Sequence, residues 1–278
     1  MDCGNSTCKI IFDTSSGLGE QIRPHLNNKL RRDDWCFLES QTRFGYSEKG
    51  MLALEEALKK FIASVPDQYR HAPSFYRIRA IAVCASEKRE RIVAILNRCG
   101  FSEIAWIKSS AQHHGFNNQY DVPEKLGVDR FVAGYCAWSK FPGKRILVVS
   151  AGTATTIDCI DPIDGFCGGM ILPGIGTMLQ SLEKRTAILD KRDMINLVDT
   201  MSSFQIPTNT QQAVRHGLIR TTYQSIVAAT KDWRAQMCVA TGGWLEALSQ
   251  FETHNTSVWI KEPQLIFEGL RRWTPYQN

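Results

Sequence analysis

The residues best suited to chemistry lie in two short stretches, Asp2–Thr7 and Ser150–Thr155, that read as copies of one element. In each stretch a glycine and a threonine stand three positions apart, and an apolar, β-branched run follows. A glycine at a strand-to-strand turn lets backbone N–H groups approach a ligand, and neighbouring hydroxyls add further donors. Two such turns facing each other across a cleft would hold a nucleoside triphosphate. The pattern predicts a kinase or ATPase built from two related halves.

The first stretch also carries charge. Asp2 precedes Gly4, and the polar residues Asn5 and Ser6 follow it. A carboxylate at a strand end can hold Mg²⁺, which neutralises triphosphate oxygens, and Lys9 on the returning strand can add a positive charge for a phosphate. The alternative is an Asx-type turn in a hairpin, where aspartate, glycine and asparagine are all common. The repeat of the pattern in the second stretch favours the phosphate site.

A third cluster, Gly127-Val128-Asp129-Arg130, stands where a turn enters a predicted helix. The helix dipole favours an ionised carboxylate near the helix N-terminus, so Asp129 can accept a proton from a hydroxyl group. The guanidinium of Arg130 can bind an anionic group of the substrate. The alternative is a helix-capping aspartate beside a surface arginine, which is the commoner arrangement for an isolated Asp-Arg pair.

Composition places the chain among ordinary globular proteins, because 43% of its 278 residues are hydrophobic and 22% are charged. No apolar run approaches the roughly 20 residues of a membrane span, and no secretory signal is evident. The net charge of +5 comes from scattered basic residues, which fits small anionic ligands better than nucleic acid. Nine cysteines without a C-x-x-C pair indicate free thiols in a reducing, cytoplasmic setting.

Strand and helix patterns alternate along the chain, which is typical of α/β domains with mixed sheets. A polar stretch, 109–123, separates two halves, and we place the domains at 1–119 and 120–278. The predicted strands are 35–38, 79–83, 104–107, 146–149, 168–172, 237–240 and 258–260. The predicted helices are 51–65, 87–99, 129–138, a helix from Gly174 to Leu189, 211–229 and 265–273.

The order of these motifs resembles the type III pantothenate kinase family along nearly the whole chain. No single motif is diagnostic, but the series is specific. It consists of Asp2-Cys3-Gly4-Asn5-Ser6, Tyr120-Asp121-x-Pro123-x-x-Leu126-Gly127-Val128-Asp129-Arg130, Gly152-Thr153-Ala154-Thr155-Thr156-x-Asp158, Gly168-Gly169-x-Ile171-x-Pro173-Gly174, Thr186-Ala187-x-Leu189, Asn209-Thr210-x-x-Ala213-Val214-x-x-Gly217 and Thr241-Gly242-Gly243.

The resemblance implies an actin-like, sugar-kinase-type α/β fold of two ribonuclease-H-like domains, with mixed sheets flanked by helices and the active site in the cleft between them. It implies ATP-dependent phosphorylation of pantothenate to 4′-phosphopantothenate, the first step of coenzyme A synthesis, in the cytoplasm. It also implies Mg-ATP, a monovalent cation (potassium or ammonium) and a homodimer.

By the same resemblance, Asp129 would be the base that takes the proton of the pantothenate hydroxyl. The residues that would bind ATP are Asp2, Gly4, Asn5, Ser6, Thr7, Lys9, Thr153, Gly242 and Gly243. The residues that would bind pantothenate are Tyr120, Gly127, Val128, Asp129, Arg130 and Thr210.

Two departures from the family keep alternatives open. Many members have aspartate where Ser150 stands, and that carboxylate helps to hold the monovalent cation. With serine there, we expect either a weaker cation dependence or an ion held by backbone carbonyls, so we assign no metal ligand. Only Met1 precedes Asp2, and we expect the natural protein to begin earlier. The alternatives are a non-catalytic, nucleotide-binding regulator on the same fold and an actin-fold kinase for another small acid.

Overall fold

We describe the fold from a computed structural model of the chain. The described residues are 1–10, 42–64, 78–101, 103–185, 206–249 and 258–273. The predicted strand 35–38 and the end of the predicted helix at 186–189 lie outside them, as does the motif that ends at Leu189.

Two compact units make up the chain. The first unit contains 1–109, 127–132 and 266–278, and the second contains 110–126 and 133–265. These units differ from the halves 1–119 and 120–278 in the segments 110–119, 127–132 and 266–278. The division at residue 119 stays a prediction about the two related halves.

The described residues of the first unit form a five-stranded sheet in the order β3-β2-β1-β4-β5. Strands β1, β2 and β3 pair antiparallel, and β4 and β5 continue the sheet in parallel with β1. Helix α1 buries Met51, Leu54 and Leu58, at helical spacing, in a core that also contains Ile92 and Leu96 of helix α2. The elements that the described part of this unit forms are β1 (Asp2–Cys3), β2 (Thr7–Ile10), β3 (Thr42–Gly45), α1 (Glu48–Ser64), β4 (Ile78–Ala82), α2 (Ser86–Arg98) and β5 (Ile104–Trp106).

The second unit begins with a hairpin and a 3₁₀ turn that lead into a long helix. That helix, α3, has its first turn in the first unit and its remainder in the second. Its last two turns bury Ala133, Tyr135 and Ala137, so this part of the helix belongs to the core. The elements are β6 (Gln112–His113), β7 (Phe116–Asn117), the 3₁₀ turn Pro123–Lys125 and α3 (Val128–Lys140).

The sheet of the second unit repeats the arrangement of the first, in the order β10-β9-β8-β11-β12. Strands β8, β9 and β10 pair antiparallel, and β11 and β12 continue in parallel with β8. Strands β1 and β8 are therefore equivalent, and each ends at one of the two similar sequence stretches. The elements are β8 (Ile146–Ala151), β9 (Ala154–Asp161), β10 (Gly165–Pro173), α4 (Ile175–Arg185), α5 (Thr210–Asp232), β11 (Met237–Thr241), α6 (Leu245–Ser249), β12 (Val258–Lys261) and α7 (Leu265–Arg272).

These elements confirm the predicted alternation and the predicted internal repeat. The helices predicted at 87–99, 129–138 and 211–229 are observed at Ser86–Arg98, Val128–Lys140 and Thr210–Asp232. Helix α5 packs Ile219, Tyr223 and Ile226 on the core of the second sheet, which fixes the position of its strands. In the part of the chain that the structure describes, no helix is both long and apolar enough to cross a membrane.

Candidate active site

The loop Gly4–Ser6 connects the central strand β1 to β2 in the first unit, and Asn5 and Ser6 are exposed to solvent. Asp2 stands at the start of this turn in the middle of the sheet, with only 3% of its surface exposed. The pairing of β1 with β2 places Asp2 opposite Lys9, and the Lys9 Nζ lies 3.2 Å from Asp2 Oδ2. A buried carboxylate and its cation thus lie on the two strands that this loop joins.

Asp129 also belongs to the first unit, in the first turn of helix α3. Its Oδ1 accepts a hydrogen bond from the backbone N–H of Arg130 at 2.9 Å. Burial raises the pKa of the Asp129 carboxyl, and the negative charge of Asp2 raises it further. A carboxylate with a raised pKa is a stronger base than a solvated one, so Asp129 is suited to accept a proton from a hydroxyl group.

The residues around Asp129 fix the start of the helix. Val128 is buried in an apolar cluster with Ile81 and Phe267. Gly127 lies so close to Asp129 that a Cβ atom at this position would stand 2.8 Å from the Asp129 Oδ1. Arg130 is 6% exposed, so the observed residue is an interior arginine and not the surface arginine of the alternative interpretation.

The second turn, Gly152–Thr153, connects β8 to β9 in the second unit. The Gly152 N–H donates to the Ala154 carbonyl at 3.0 Å. The carbonyl of Thr153 accepts two hydrogen bonds, from the Gly174 N–H at 3.1 Å and from the Thr177 hydroxyl at 2.7 Å. The Thr153 side chain stays exposed, where it can contact a ligand.

The glycine pair Gly242-Gly243 follows β11 and lies against the start of this second turn. Gly242 has a φ of +108°, and a Cβ atom there would be 2.3 Å from the carbonyl oxygen of Ala151. The same carbonyl accepts a hydrogen bond from the Trp244 N–H at 3.2 Å. The structure thus brings the predicted adenosine turn into contact with the strand end that leads to Thr153.

Tyr120 and Thr210 lie on different elements of the second unit. The Tyr120 ring packs edge-on against Phe166 with a centroid distance of 6.0 Å, and its backbone N–H donates to the Asn118 Oδ1. Thr210 is exposed at the first position of helix α5, after the N-cap residue Asn209. Their assignment to pantothenate stays a prediction.

Comparison with known proteins assigns the chain to a family. The family model described as type III pantothenate kinase matches residues 1–232. The chain belongs to the type III pantothenate kinase family. It is 37% identical over 179 residues to the type III pantothenate kinase of Albidiferax ferrireducens, a match that covers 59% of this chain and 64% of the relative. It is 30% identical over 204 residues to that of Herminiimonas arsenicoxydans, covering 71% of this chain and 76% of the relative. The chain thus spans a little less than two thirds of the first relative's length.

Two solved structures show the fold. A protein of Campylobacter jejuni assigned to the Baf family of transcriptional activators superposes with a TM-score of 0.54 at 20% identity, covering 98% of this chain and 94% of that chain. A protein of Sinorhizobium meliloti assigned as a 2-dehydro-3-deoxygalactonokinase gives a TM-score of 0.54 at 12% identity, covering 97% of this chain and 95% of that chain. The predicted α/β fold of the actin-like, sugar-kinase type is confirmed.

Within this family framework, two contacts of the first loop were missed by sequence reasoning. The Tyr46 hydroxyl donates to the Gly4 carbonyl, and the Lys88 Nζ donates to the Asn5 carbonyl. These residues are 42 and 83 positions from their partners and belong to no motif, so no sequence signal points to them. Gly174 stands inside a family motif, but the sequence indicated only a strand break there.

Ser150, near the end of β8, is half-buried. Ser150 is paired across the sheet with Thr156 of β9 and with Thr241 of β11. The buried Oγ1 of Thr156 has no hydrogen-bond partner among the described residues. Hydroxyl oxygens of this kind suit a weakly bound cation or water, whereas no described group of three or more His, Cys, Asp or Glu side chains could hold a metal ion.

Proposed function

We propose that this chain phosphorylates pantothenate, transferring the γ-phosphoryl group of Mg-ATP to the pantothenate hydroxyl to form 4′-phosphopantothenate and ADP. The reaction is the first step of coenzyme A synthesis. Support comes from membership of the type III pantothenate kinase family together with the chemistry of the first unit.

One observation carries the proposal. Asp129 is a half-buried carboxylate with a raised pKa, and it lies near enough to Asp2 to interact with its charge. Asp129 takes the proton of the attacking hydroxyl, the oxygen attacks the γ-phosphorus, and the bond to the β-phosphate oxygen breaks to release ADP. Because phosphoryl transfer needs mainly positioning and charge neutralisation, one base and a few phosphate contacts suffice.

The phosphate contacts are proposed on both units. On the first unit, Asp2 would hold the Mg²⁺ of Mg-ATP, since Mg²⁺ binds ATP through one or two carboxylates plus phosphates and water. The Asp2 carboxylate suits that role by its chemistry, and Lys9 pairs with it through Oδ2. The remaining proposed ATP contacts are Gly4, Asn5, Ser6, Thr7 and Lys9 on the first unit and Thr153, Gly242 and Gly243 on the second.

The pantothenate site is proposed around the start of helix α3. The backbone of Gly127 and Val128 adjoins Asp129 in the chain, so it is suited to hold the hydroxyl of the substrate beside the base, and the guanidinium of Arg130 is suited to bind an anionic group of the substrate. Tyr120 and Thr210 are proposed as further contacts.

Three finer features complete the proposal. A monovalent cation, potassium or ammonium, assists the reaction, and the hydroxyl-rich row around Ser150 provides oxygen atoms of the type such an ion binds. The protein acts as a homodimer. It works in the cytoplasm, where ATP is available.

The decisive experiment measures ADP release by the purified protein with Mg-ATP, ammonium chloride and pantothenate, and identifies the product by mass spectrometry. Pantothenate-dependent ADP release with a phosphopantothenate product is the expected result. Omission of pantothenate and of the ammonium salt provides the controls. ATP binding without any transfer would contradict the proposal and favour the non-catalytic regulator, whereas transfer to a different small acid would favour the other kinase.

A further inference from the structure

The loop Gly4–Ser6 is held by two side chains that come from elsewhere in the first unit. The Tyr46 hydroxyl donates a 2.7 Å hydrogen bond to the carbonyl oxygen of Gly4. The Lys88 Nζ donates a 2.7 Å hydrogen bond to the carbonyl oxygen of Asn5. Tyr46 directly follows β3, and Lys88 lies in the first turn of helix α2. Two successive carbonyl groups of the loop are thus fixed from outside it.

The two side chains also support each other. The Lys88 Nζ lies 4.8 Å from the centroid of the Tyr46 ring, within the range of a cation–π contact. Arg91, one helical turn after Lys88, donates to the Tyr46 carbonyl at 3.1 Å. Burial raises the pKa of the Tyr46 hydroxyl, so this group stays protonated and can donate its hydrogen bond at neutral pH. The contacts of Tyr46, Lys88 and Arg91 thus form one network between helix α2 and the loop.

This network sets the direction of the loop's N–H groups. The described peptide bonds contain no cis bond, and in a planar trans peptide the C=O and the following N–H point in opposite directions. Because the carbonyls of Gly4 and Asn5 point to Tyr46 and Lys88, the N–H groups of Asn5 and Ser6 point away from them. Successive backbone N–H groups that face one side are the donors that an anion binds.

Lys88 places its positive charge in the first turn of helix α2, near the helix N-terminus. A cation in the first turn of a helix opposes the helix dipole, so an isolated lysine there is unfavourable. Among the residues that the structure describes, Lys88 forms no ion pair with a carboxylate, and its recorded contacts are a carbonyl oxygen and a ring face. An anion bound at the loop would provide the compensating negative charge.

We propose that Tyr46 and Lys88 are positioning residues for the triphosphate of ATP, which orient the peptide groups of the loop and add one positive charge beside it. The inference rests on the proposed function, because it takes ATP as the ligand of this loop. It extends the phosphate site to two residues outside every family motif in the sequence.

The test measures binding of Mg-ATP and of adenosine by calorimetry, and kcat and KM, for Lys88→Met, Lys88→Arg and Tyr46→Phe. Lys60→Met, at an exposed position on helix α1, is the matched control. Loss of one such hydrogen bond is expected to weaken ATP binding about three- to tenfold in Lys88→Met and in Tyr46→Phe, with adenosine binding and the KM for pantothenate unchanged. The ATP affinity of Lys88→Arg should be close to that of the wild type. Because salt screens the charge that Lys88→Met lacks, raising the salt concentration should weaken ATP binding less in Lys88→Met than in the wild type.

Equal losses of ATP and adenosine affinity would show a general structural role and overturn the inference, as would unchanged ATP binding in both Lys88→Met and Tyr46→Phe. Tyr46→Phe keeps the ring and removes one oxygen atom, so it tests the idea even if Lys88→Met folds poorly. The proposed function fails separately: a wild type that binds ATP but phosphorylates no pantothenate refutes it, while the binding constants of the variants still decide the roles of Tyr46 and Lys88.

Discussion

The two Gly-Thr turns share a sequence pattern and an equivalent place after the central strand of their sheets, but different contacts hold them. In the first unit, side chains hold the loop: the Tyr46 hydroxyl and the Lys88 ammonium bind its carbonyls, and Lys9 pairs with Asp2 beneath it. In the second unit, backbone groups approach the turn at distances that only glycine permits. A Cβ atom on Gly174 would stand 2.3 Å from the Gly152 carbonyl oxygen.

This difference indicates a division of tasks between the units. The described charges that interact around the first loop, which are Asp2, Lys9, Lys88 and Asp129, all belong to the first unit. The second turn is surrounded by hydroxyls and glycines. Substitutions of side chains should therefore alter chemistry and phosphate affinity through the first unit, whereas small changes of backbone space should damage the second. Each prediction below tests one side of this contrast.

The largest effect is expected for Asp129→Asn. Asparagine keeps the shape and an oxygen that can accept from the Arg130 N–H, but it cannot accept a proton from the substrate. General-base catalysis contributes about 100- to 10,000-fold, so kcat should fall by that factor while ATP binding is retained. Steady-state ADP release and calorimetry with Mg-ATP measure the two quantities. Asp232→Asn, at an exposed position at the end of helix α5, is the control. Turnover near the wild-type rate would remove Asp129 from the mechanism.

The next largest effect is expected for Gly242→Ala, at the glycine that packs against the strand end before the second turn. The new Cβ would meet the Ala151 backbone at 2.3 Å while the residue holds a φ of +108°. Strain and overpacking together should lower the free energy of unfolding by about 2–5 kcal/mol. ATP affinity should also fall, because the new Cβ atom displaces the turn. Urea unfolding measures the stability.

Gly143→Ala separates the two causes in this experiment. Gly143 has a comparable φ of +75°, but a Cβ there would have nothing within 4 Å. Gly143→Ala should therefore lower the free energy of unfolding by the strain contribution alone, about 1 kcal/mol. If both variants lose equal stability, the close backbone approach at Gly242 is not what makes glycine necessary.

Prediction from the sequence succeeded where the signal is local. Apolar spacing gave helix α2 to within one residue at each end, helix α5 was predicted to within three residues, and the Gly-Thr echo indicated equivalent turns, which lie after the equivalent strands β1 and β8. The network of Tyr46 and Lys88 could not be predicted, because hydrogen bonds to backbone carbonyls 42 and 83 residues away depend on tertiary packing and leave no pattern in the chain. The packing of helix α7 against Ile81 and Val128 could not be predicted for the same reason, since Phe267 and Leu270 look like the apolar face of any amphipathic helix.

A smaller effect is expected in the stability of Asp129→Asn as pH changes. The folded state raises the pKa of Asp129 above the value in the unfolded chain, so at neutral pH its ionised form lowers stability. As pH falls through the raised pKa, the folded wild type takes up a proton and this cost disappears. The stability gained by Asp129→Asn should therefore be largest near pH 7 and shrink towards pH 4. Urea unfolding of both proteins at both pH values measures the difference. A gain that is the same at both pH values would contradict a raised pKa.

The smallest effect is expected when charge is added to the second unit by Ser150→Asp. Ser150 is half-buried between Thr156 and Thr241, and the Thr156 Oγ1 lacks a described partner, so an added carboxylate would join a row of hydroxyl oxygens. It should strengthen binding of potassium by about 1 kcal/mol, which lowers the concentration for half-maximal activation about fivefold. ADP release is measured against potassium chloride at constant ionic strength, with Ser150→Asn as the uncharged control. An equal shift in Ser150→Asn would assign the effect to shape, and no shift in either variant would mean that a charge at this position does not govern the cation.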